Sequence, residues 1–436
     1  MGRIDKKAVL GWCMYDWANS AFATVVIAGF FPIFFKEYWS TGVDTTVSTA
    51  RLGLANSIAG LSVAILAPVL GAIGDRANFI KRFLFLFAYL GVLMTGSLYF
   101  ISKGNWPAAF VVYIIAVMGF SAANIFYDAL LKNVAVDGNE HFVSSLGFSL
   151  GYLGGGLLFA FSVYITMNPQ AAGLKDASGA MKLSFICVAL WWALFSIPLF
   201  LFVKENDKIK SKAAGNPVKD GLIQLKGTLK ELITFKPLLL FLLAYWFYMD
   251  GVGTIIRMAT GYGLSIGFEP KDLIIALLLT QFIGFPSALL FGLFGVRIGA
   301  KKAILTGISV YLLVCIWGAF MKDVAEFYMI AVLVGLVQGG IQALSRSFYA
   351  RQIPAGKSAQ YFGLYNMVGK FAAVLGPVLM GGVGVLLKRG GMSSDSSSRI
   401  SITSIALLFI AGGILLCLVR EKDMNYQLRT DSSQEL

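Results

Sequence analysis

Charge is scarce in this chain: Asp, Glu, Lys and Arg make up 14% of its 436 residues, against roughly 25% in an average soluble domain. Histidine is nearly absent. The single His141 excludes a histidine metal cluster and, at a loop edge, is expected to be solvated. Four cysteines, Cys13, Cys187, Cys315 and Cys417, all fall in apolar runs, which excludes a disulfide framework and a zinc spacing. No segment carries a nucleophile–base pair or a phosphate-binding glycine loop, so no enzyme, metal or cofactor is expected. What is abundant is apolar surface: 57% hydrophobic residues, mean hydropathy +0.75 and 48 glycines, the composition of a membrane protein with closely packed helices.

A helix needs about 20 apolar residues to cross the hydrocarbon core. The sequence predicts spans at 9–36, 51–73, 83–102, 107–132, 142–166, 181–203, 237–264, 271–296, 303–321, 326–350, 360–387 and 400–419. The first follows Arg3, Lys6 and Lys7 and superficially resembles a signal peptide, but it contains Asp16 and is too long for one. Twelve spans put both termini on one side of the bilayer. Segments on that side hold 23 of the 36 Lys and Arg residues, so both termini are expected in the cytoplasm. The net charge of +13 then reflects topology and contact with lipid, and nucleic acid is not an expected partner.

The longest loop, 204–236, separates the bundles 1–203 and 237–420, with a tail at 421–436. In that loop Val218, Leu222, Leu225, Leu229 and Leu232 form a helical stripe with Lys219, Lys226 and Lys230 off it, as in an amphipathic helix lying on the membrane face.

The two bundles repeat. Gly71-Ala-Ile-Gly74-Asp75-Arg76 followed by Lys81-Arg82 is echoed by Gly292-Leu-Phe-Gly295-Val296-Arg297 followed by Lys301-Lys302. Trp12 and Asp16 correspond to Trp246 and Asp250, and Gly119 and Gly147 to Gly335 and Gly363. The first element resembles the loop signature between spans 2 and 3 of major facilitator transporters. The expected fold is therefore all-α, with two pseudo-symmetric six-helix bundles and substrate between them. Gly71, Gly74, Asp75, Arg76 and Arg82, with Gly292, Gly295 and Arg297, would form a cytoplasmic latch whose charges pair with helix ends or carboxylates; orientation by positive charge alone is the plainer alternative.

Charged groups inside spans cost about 2.5–3.5 kcal/mol each on insertion scales and mark function by default. Asp16, Ser20 and Thr24 share one face of the first span; Asn124, Asp128 and Lys132 share one of the fourth. Asp250, Thr254 and Arg257 do so in the seventh, and Gln338, Gln342 and Arg346 in the tenth. The third, sixth, ninth and twelfth spans have no Asp, Glu, Lys, Arg, Asn, Gln or His within their apolar runs, which predicts a polar pathway lined by spans 1, 4, 7 and 10. Lys370 approaches the midplane in the eleventh. Asp128 could instead neutralise Lys132, and Arg346 could snorkel from a helix end.

The run Tyr15-Asp16-Trp17-Ala18-Asn19-Ser20-Ala21-Phe22, with Tyr248-Met249-Asp250-Gly251-Val252, resembles motifs of the autophagy-related vacuolar effluxer family and its bacterial relatives. The resemblance extends over essentially the whole chain. It implies a secondary transporter, with amino-acid export in fungal members; the short loops look bacterial and imply an inner (plasma) membrane location. The expected activity is proton-coupled transport of a small, amino-acid-like solute by a monomer. Asp16 or Asp250 would carry the proton, because a carboxyl group in a low-dielectric cavity titrates closer to neutrality than one in water. Binding would involve Asn19, Ser20, Asn124, Asp128, Thr254, Arg257, Gln338, Gln342, Arg346 and Lys370. An exporter of a lipid-like or bulky anionic solute, and a solute-binding sensor without transport, are the alternatives.

Overall fold

The computed structural model describes residues 5–77, 79–136, 138–205, 217–265, 267–354, 356–372 and 375–419. The expected tail at 421–436 and the first part of the interdomain loop lie outside these residues. Twelve helices among them are long and apolar enough to cross a membrane: Lys6–Trp39, Val47–Arg76, Ile80–Phe100, Trp106–Val134, Glu140–Met167, Ala177–Phe202, Lys236–Ala259, Lys271–Ile298, Ala300–Phe320, Val324–Gln352, Ser358–Arg389 and Ser396–Leu418. We number them spans 1–12.

Hydrocarbon offers no hydrogen bonds, so a spanning backbone must satisfy its own polar groups. Helices therefore start where short acceptors sit in the preceding loop: Asn105 caps span 4, Asp176 span 6 and Asp323 span 10. Spans 3, 6, 9 and 12 present rows of exposed apolar side chains, among them Phe85 and Leu93, Leu194 and Leu201, Leu313 and Ile316, and Leu407 and Ile414. Spans 1, 4 and 10 meet through Asp16, Asp128 and Arg346, and span 7 meets span 10 through Tyr248 and Ser345. Ring stacking packs the interior, as between Trp12 and Tyr127 (centroids 4.5 Å apart) and Tyr311 and Phe409 (5.1 Å); such pairs contribute about 0.5–1.5 kcal/mol each beyond their burial.

The repeat is visible in the contacts. A Cβ at Gly71 would lie 2.2 Å from the Ala359 carbonyl oxygen of span 11, and one at Gly292 would lie 2.2 Å from Oγ of Ser145 in span 5. Spans 2 and 11, and spans 8 and 5, thus approach across the two halves at matching glycines. Gly74 and Gly295 pack inside their own halves, against Phe126 and Leu344. Lys81 donates to the Phe200 and Val203 carbonyls that end span 6, and Lys301 does the same to Cys417 and Val419 at the end of span 12. The other glycine correspondence is not kept: Gly147 packs on span 1 of its own half, whereas Gly363 packs on span 2 of the other.

Two expectations, the linker helix and His141, need correction. The linker helix, Pro217–Thr234, lies on span 2 through Gly221, half-buried Leu225, Thr228 and Leu232, while Leu229 is 40% exposed. Small Gly221 and Thr228, invisible to a search for apolar stripes, let the helix sit close and rotate Leu229 outward. Span 11, expected at 360–387, is described as two helical segments, Ser358–Phe371 and Leu375–Arg389, with residues 373–374 between them outside the described residues. His141 is buried and bridges the halves, as described below. Span 1 also departs from regular geometry, widening to π-helical turns at Phe22–Phe30 just beyond the Tyr-Asp-Trp motif.

Candidate substrate pathway and gate

Arg346 of span 10 is 3% exposed, so it does not snorkel. Its Nη2 lies 3.3 Å from Oδ2 of Asp16 and its Nη1 3.2 Å from Oδ1 of Asp128, so one guanidinium from the C-terminal half joins two carboxylates of the other. Nε donates to Ser144 Oγ and Nη2 to the Ser144 carbonyl, each at 2.9 Å. The flat cation is flanked by the rings of Trp12, Tyr127 and Phe148, at 4.4–5.4 Å from their centroids. Tyr127 donates to Asp16 at 2.6 Å and Asn366 of span 11 to Asp128 at 3.1 Å. Room for Asp16 comes from Gly147, where a Cβ would lie 2.6 Å from Oδ2.

Further cross-half contacts lie on the face that carries the termini. Both Asp75 oxygens accept from the first N–H groups of span 11, Ala359 (3.0 Å) and Gln360 (2.7 Å), so a carboxylate of one half caps a helix of the other. Lys132 donates to the Ile353 carbonyl at 2.9 Å. His141 Nε2 accepts from Arg351, whose guanidinium can only donate, which leaves Nδ1–H to donate to Ser347 Oγ at 2.7 Å. Burial under span 10 overrides the solvated position suggested by the loop edge. Lys357 pairs with Glu231 of the linker helix at 3.1 Å. Arg76 is partly buried, while Arg82, stacked on Phe79, and Arg297 are exposed at this face. The outer segment of span 11 packs on spans 7 and 12 of its own half and exposes Val378, Val385 and Leu386. The molecule is closed at the terminal face.

The symmetry mate of Asp16 behaves differently. Asp250 is fully buried; its oxygens accept from Leu375 N–H (2.9 Å) and Gly376 N–H (3.0 Å), the start of the second segment of span 11, and from Thr254 (3.3 Å). Asn19 and Asn124 bond one another at 2.7 Å, and Ser20 faces Gly151 of span 5. Gln338 lies against the Tyr152 hydroxyl, and Gln342 is half-buried on the same face of span 10. Arg257 is exposed, and half-buried Lys370 lies close enough to sense its charge.

Several residues of this network were not singled out from the sequence: Tyr127, Ser144, Asn366, Phe148, and Gln281, which donates to Thr24 at 2.8 Å. Asn366 carried a usable signal, lying one turn before Lys370 on the same helix face.

Twelve spans in two repeated bundles, closed at one face by charges that cross between them, define a transporter of the major facilitator type. The chain belongs to the family described as vacuole effluxer Atg22 like, whose pattern matches residues 42–141 and 133–427. It is 38% identical over 426 residues to an uncharacterized MFS-type transporter, YxiO, of Bacillus subtilis, covering 97% of this chain and 96% of that one. It is 24% identical over 407 residues to autophagy-related protein 22 of Yarrowia lipolytica, covering 74% and 68%. Among solved structures, the human organic anion transporter MFSD10 superposes with a TM-score of 0.70 at 14% identity, covering 95% of this chain and 100% of that one, a likeness of fold.

Proposed function

We propose that this transporter moves a small carboxylate-bearing organic solute, amino-acid-like in size, by proton-coupled alternating access. The observation that carries the proposal is Arg346 held between Asp16 and Asp128. The buried cluster has one positive and two negative charges, so binding a proton relieves its surplus, and binding a second releases the arginine. Separating the halves at the terminal face needs the same release, which links proton movement to gate opening. The positive-inside distribution supports placing the terminal face in the cytoplasm of a bacterial plasma membrane, and a single chain suffices for the pathway. The vacuole-effluxer relatives support movement of a small solute out of a compartment.

A second cargo, an organic anion, is favoured by one specific observation, the cations Arg257 and Lys370. Reconstitution tests the shared mechanism: in liposomes with an internal pH dye, solute addition is expected to move protons with wild-type protein and far less with Asp16→Asn. Solute flux indifferent to an imposed pH gradient, with both aspartates intact, would falsify the coupling.

A further inference from the structure

Every carboxylate at the centre of the molecule is occupied by protein donors. Asp16 and Asp128 share Arg346 and also accept from Tyr127 and Asn366; Asp250 accepts two backbone N–H groups and Thr254. The central cations divide otherwise. Arg346 is satisfied, whereas Arg257 and Lys370 have no hydrogen bond or ion pair among the described residues. They lie in range of one another's repulsion, which neither side chain relieves by reaching an acid. Asp250 is in range of Arg257, but its oxygens are already committed to span 11, and one carboxylate against two cations leaves a positive surplus. Exposed Arg257 and half-buried Lys370 thus present two positive charges for which a ligand can supply the counter-charge.

Lys370 follows Asn366 by one helical turn, and Asn366 holds Asp128 across the interface, so Lys370 faces the space between the halves. Arg257 follows Asp250 by two turns of span 7, away from the terminal face. The half-buried amides of Gln338 and Gln342 are placed on span 10.

We infer that Arg257 and Lys370 form the anion-binding part of the transport site, selecting organic acids (carboxylates or phosphate esters) that carry no ammonium group. This deepens the proposed transport function and rests on it. A zwitterion would bring its ammonium to a region whose acids are all taken and whose uncommitted charge is positive.

The test is calorimetric titration of the full-length protein in detergent with succinate, glycerol 3-phosphate, lysophosphatidic acid, glutamine and glycerol. At least one of the three anions is expected to bind about tenfold or more tighter than glutamine, a difference of about 1.4 kcal/mol. Which anion wins separates a dicarboxylate, a soluble phosphate ester and a lipid headgroup. Arg257→Gln and Lys370→Gln should each weaken that anion about tenfold or more, with Arg257→Lys retaining most of the affinity. Melting temperature and elution volume verify that the variants are folded. Glutamine binding as tightly as the best anion, no anion binding at all, or anion affinity unchanged in both Gln variants overturns the inference. Anion binding without flux in liposomes would sink the transport reading alone, and glutamine flux that survives Arg257→Gln would sink the anion site alone.

Discussion

The two halves of this transporter share a sequence repeat but spend their charges differently. Acids of the N-terminal half reach across: Asp16 and Asp128 to Arg346, and Asp75 to the start of span 11. The matching acid of the C-terminal half, Asp250, stays at home and caps the second segment of that same span, while Arg257 and Lys370 have no hydrogen bond or ion pair among the described residues. Span 11 thus begins twice, once under a carboxylate of the other half and once under one of its own. The first cap breaks when the halves part; the second travels with its helix. One half supplies the lock and the other supplies the uncompensated charge, an asymmetry written onto a symmetric frame.

Removing the arginine tests that division most severely. Arg346→Ala leaves two buried carboxylates with no cation, a change that costs about 3–5 kcal/mol. The terminal face is expected to open, with transport essentially abolished; cysteine labelling at the terminal ends of spans 5 and 10 would report the opening. Retained closure would mean that Asp75 and His141 suffice.

The two symmetric aspartates should then separate by phenotype. Asp250→Asn keeps one acceptor but loses a charged cap, and is expected to cost about 1–3 kcal/mol, seen as a lower melting temperature. Asp16→Asn leaves Arg346 and Asp128 as a balanced pair, so the protein should melt near the wild-type temperature while pH-driven flux falls about tenfold or more. Equal loss of stability in the two variants would erase the proposed distinction between lock and cap.

Matching glycines give a finer comparison. Gly71→Ala meets a backbone carbonyl, which cannot swing away, whereas Gly292→Ala meets the movable hydroxyl of Ser145. Both are overpacked in the closed state by about 1–3 kcal/mol, with Gly71→Ala the costlier. Flux assays should rank them in that order. Asp75→Asn is the mildest change, expected to weaken one cross-half cap by about 1 kcal/mol and to slow transport a few-fold.

Much of this arrangement was legible in the sequence because membranes impose simple rules. Span length follows from hydrocarbon thickness, and the latch glycines announce close approach, so twelve spans and two related bundles could be read directly. Helical spacing placed Asp16, Asp128 and Arg346 on inward faces. It could not say that Arg346 bonds Asp16, 330 residues away, because a periodic pattern gives a direction and no partner. Asp16 and Asp250 looked equivalent for the same reason; their roles depend on the Leu375 and Gly376 N–H groups that meet Asp250, which apolar composition conceals. Trp12 stood out only as a repeat position and Tyr127 not at all, yet both rings of that stacked pair lie against the arginine. His141 looked solvated because only tertiary contact with span 10 buries it. In the linker helix, Gly221 and Thr228 mark the packed side as much as its leucines do.

The central claim is that protonation of the Asp16–Arg346–Asp128 cluster opens the terminal face. Spin labels at Lys7 and Lys302, exposed positions on the two halves at that face, allow the distance between them to be measured in acidic and alkaline buffer. Wild-type protein is expected to lengthen this distance on acidification, as the carboxylates lose their charge and release Arg346, and Asp16→Asn should show a much smaller change. A distance that ignores pH, or one that shifts equally in wild type and Asp16→Asn, would contradict it.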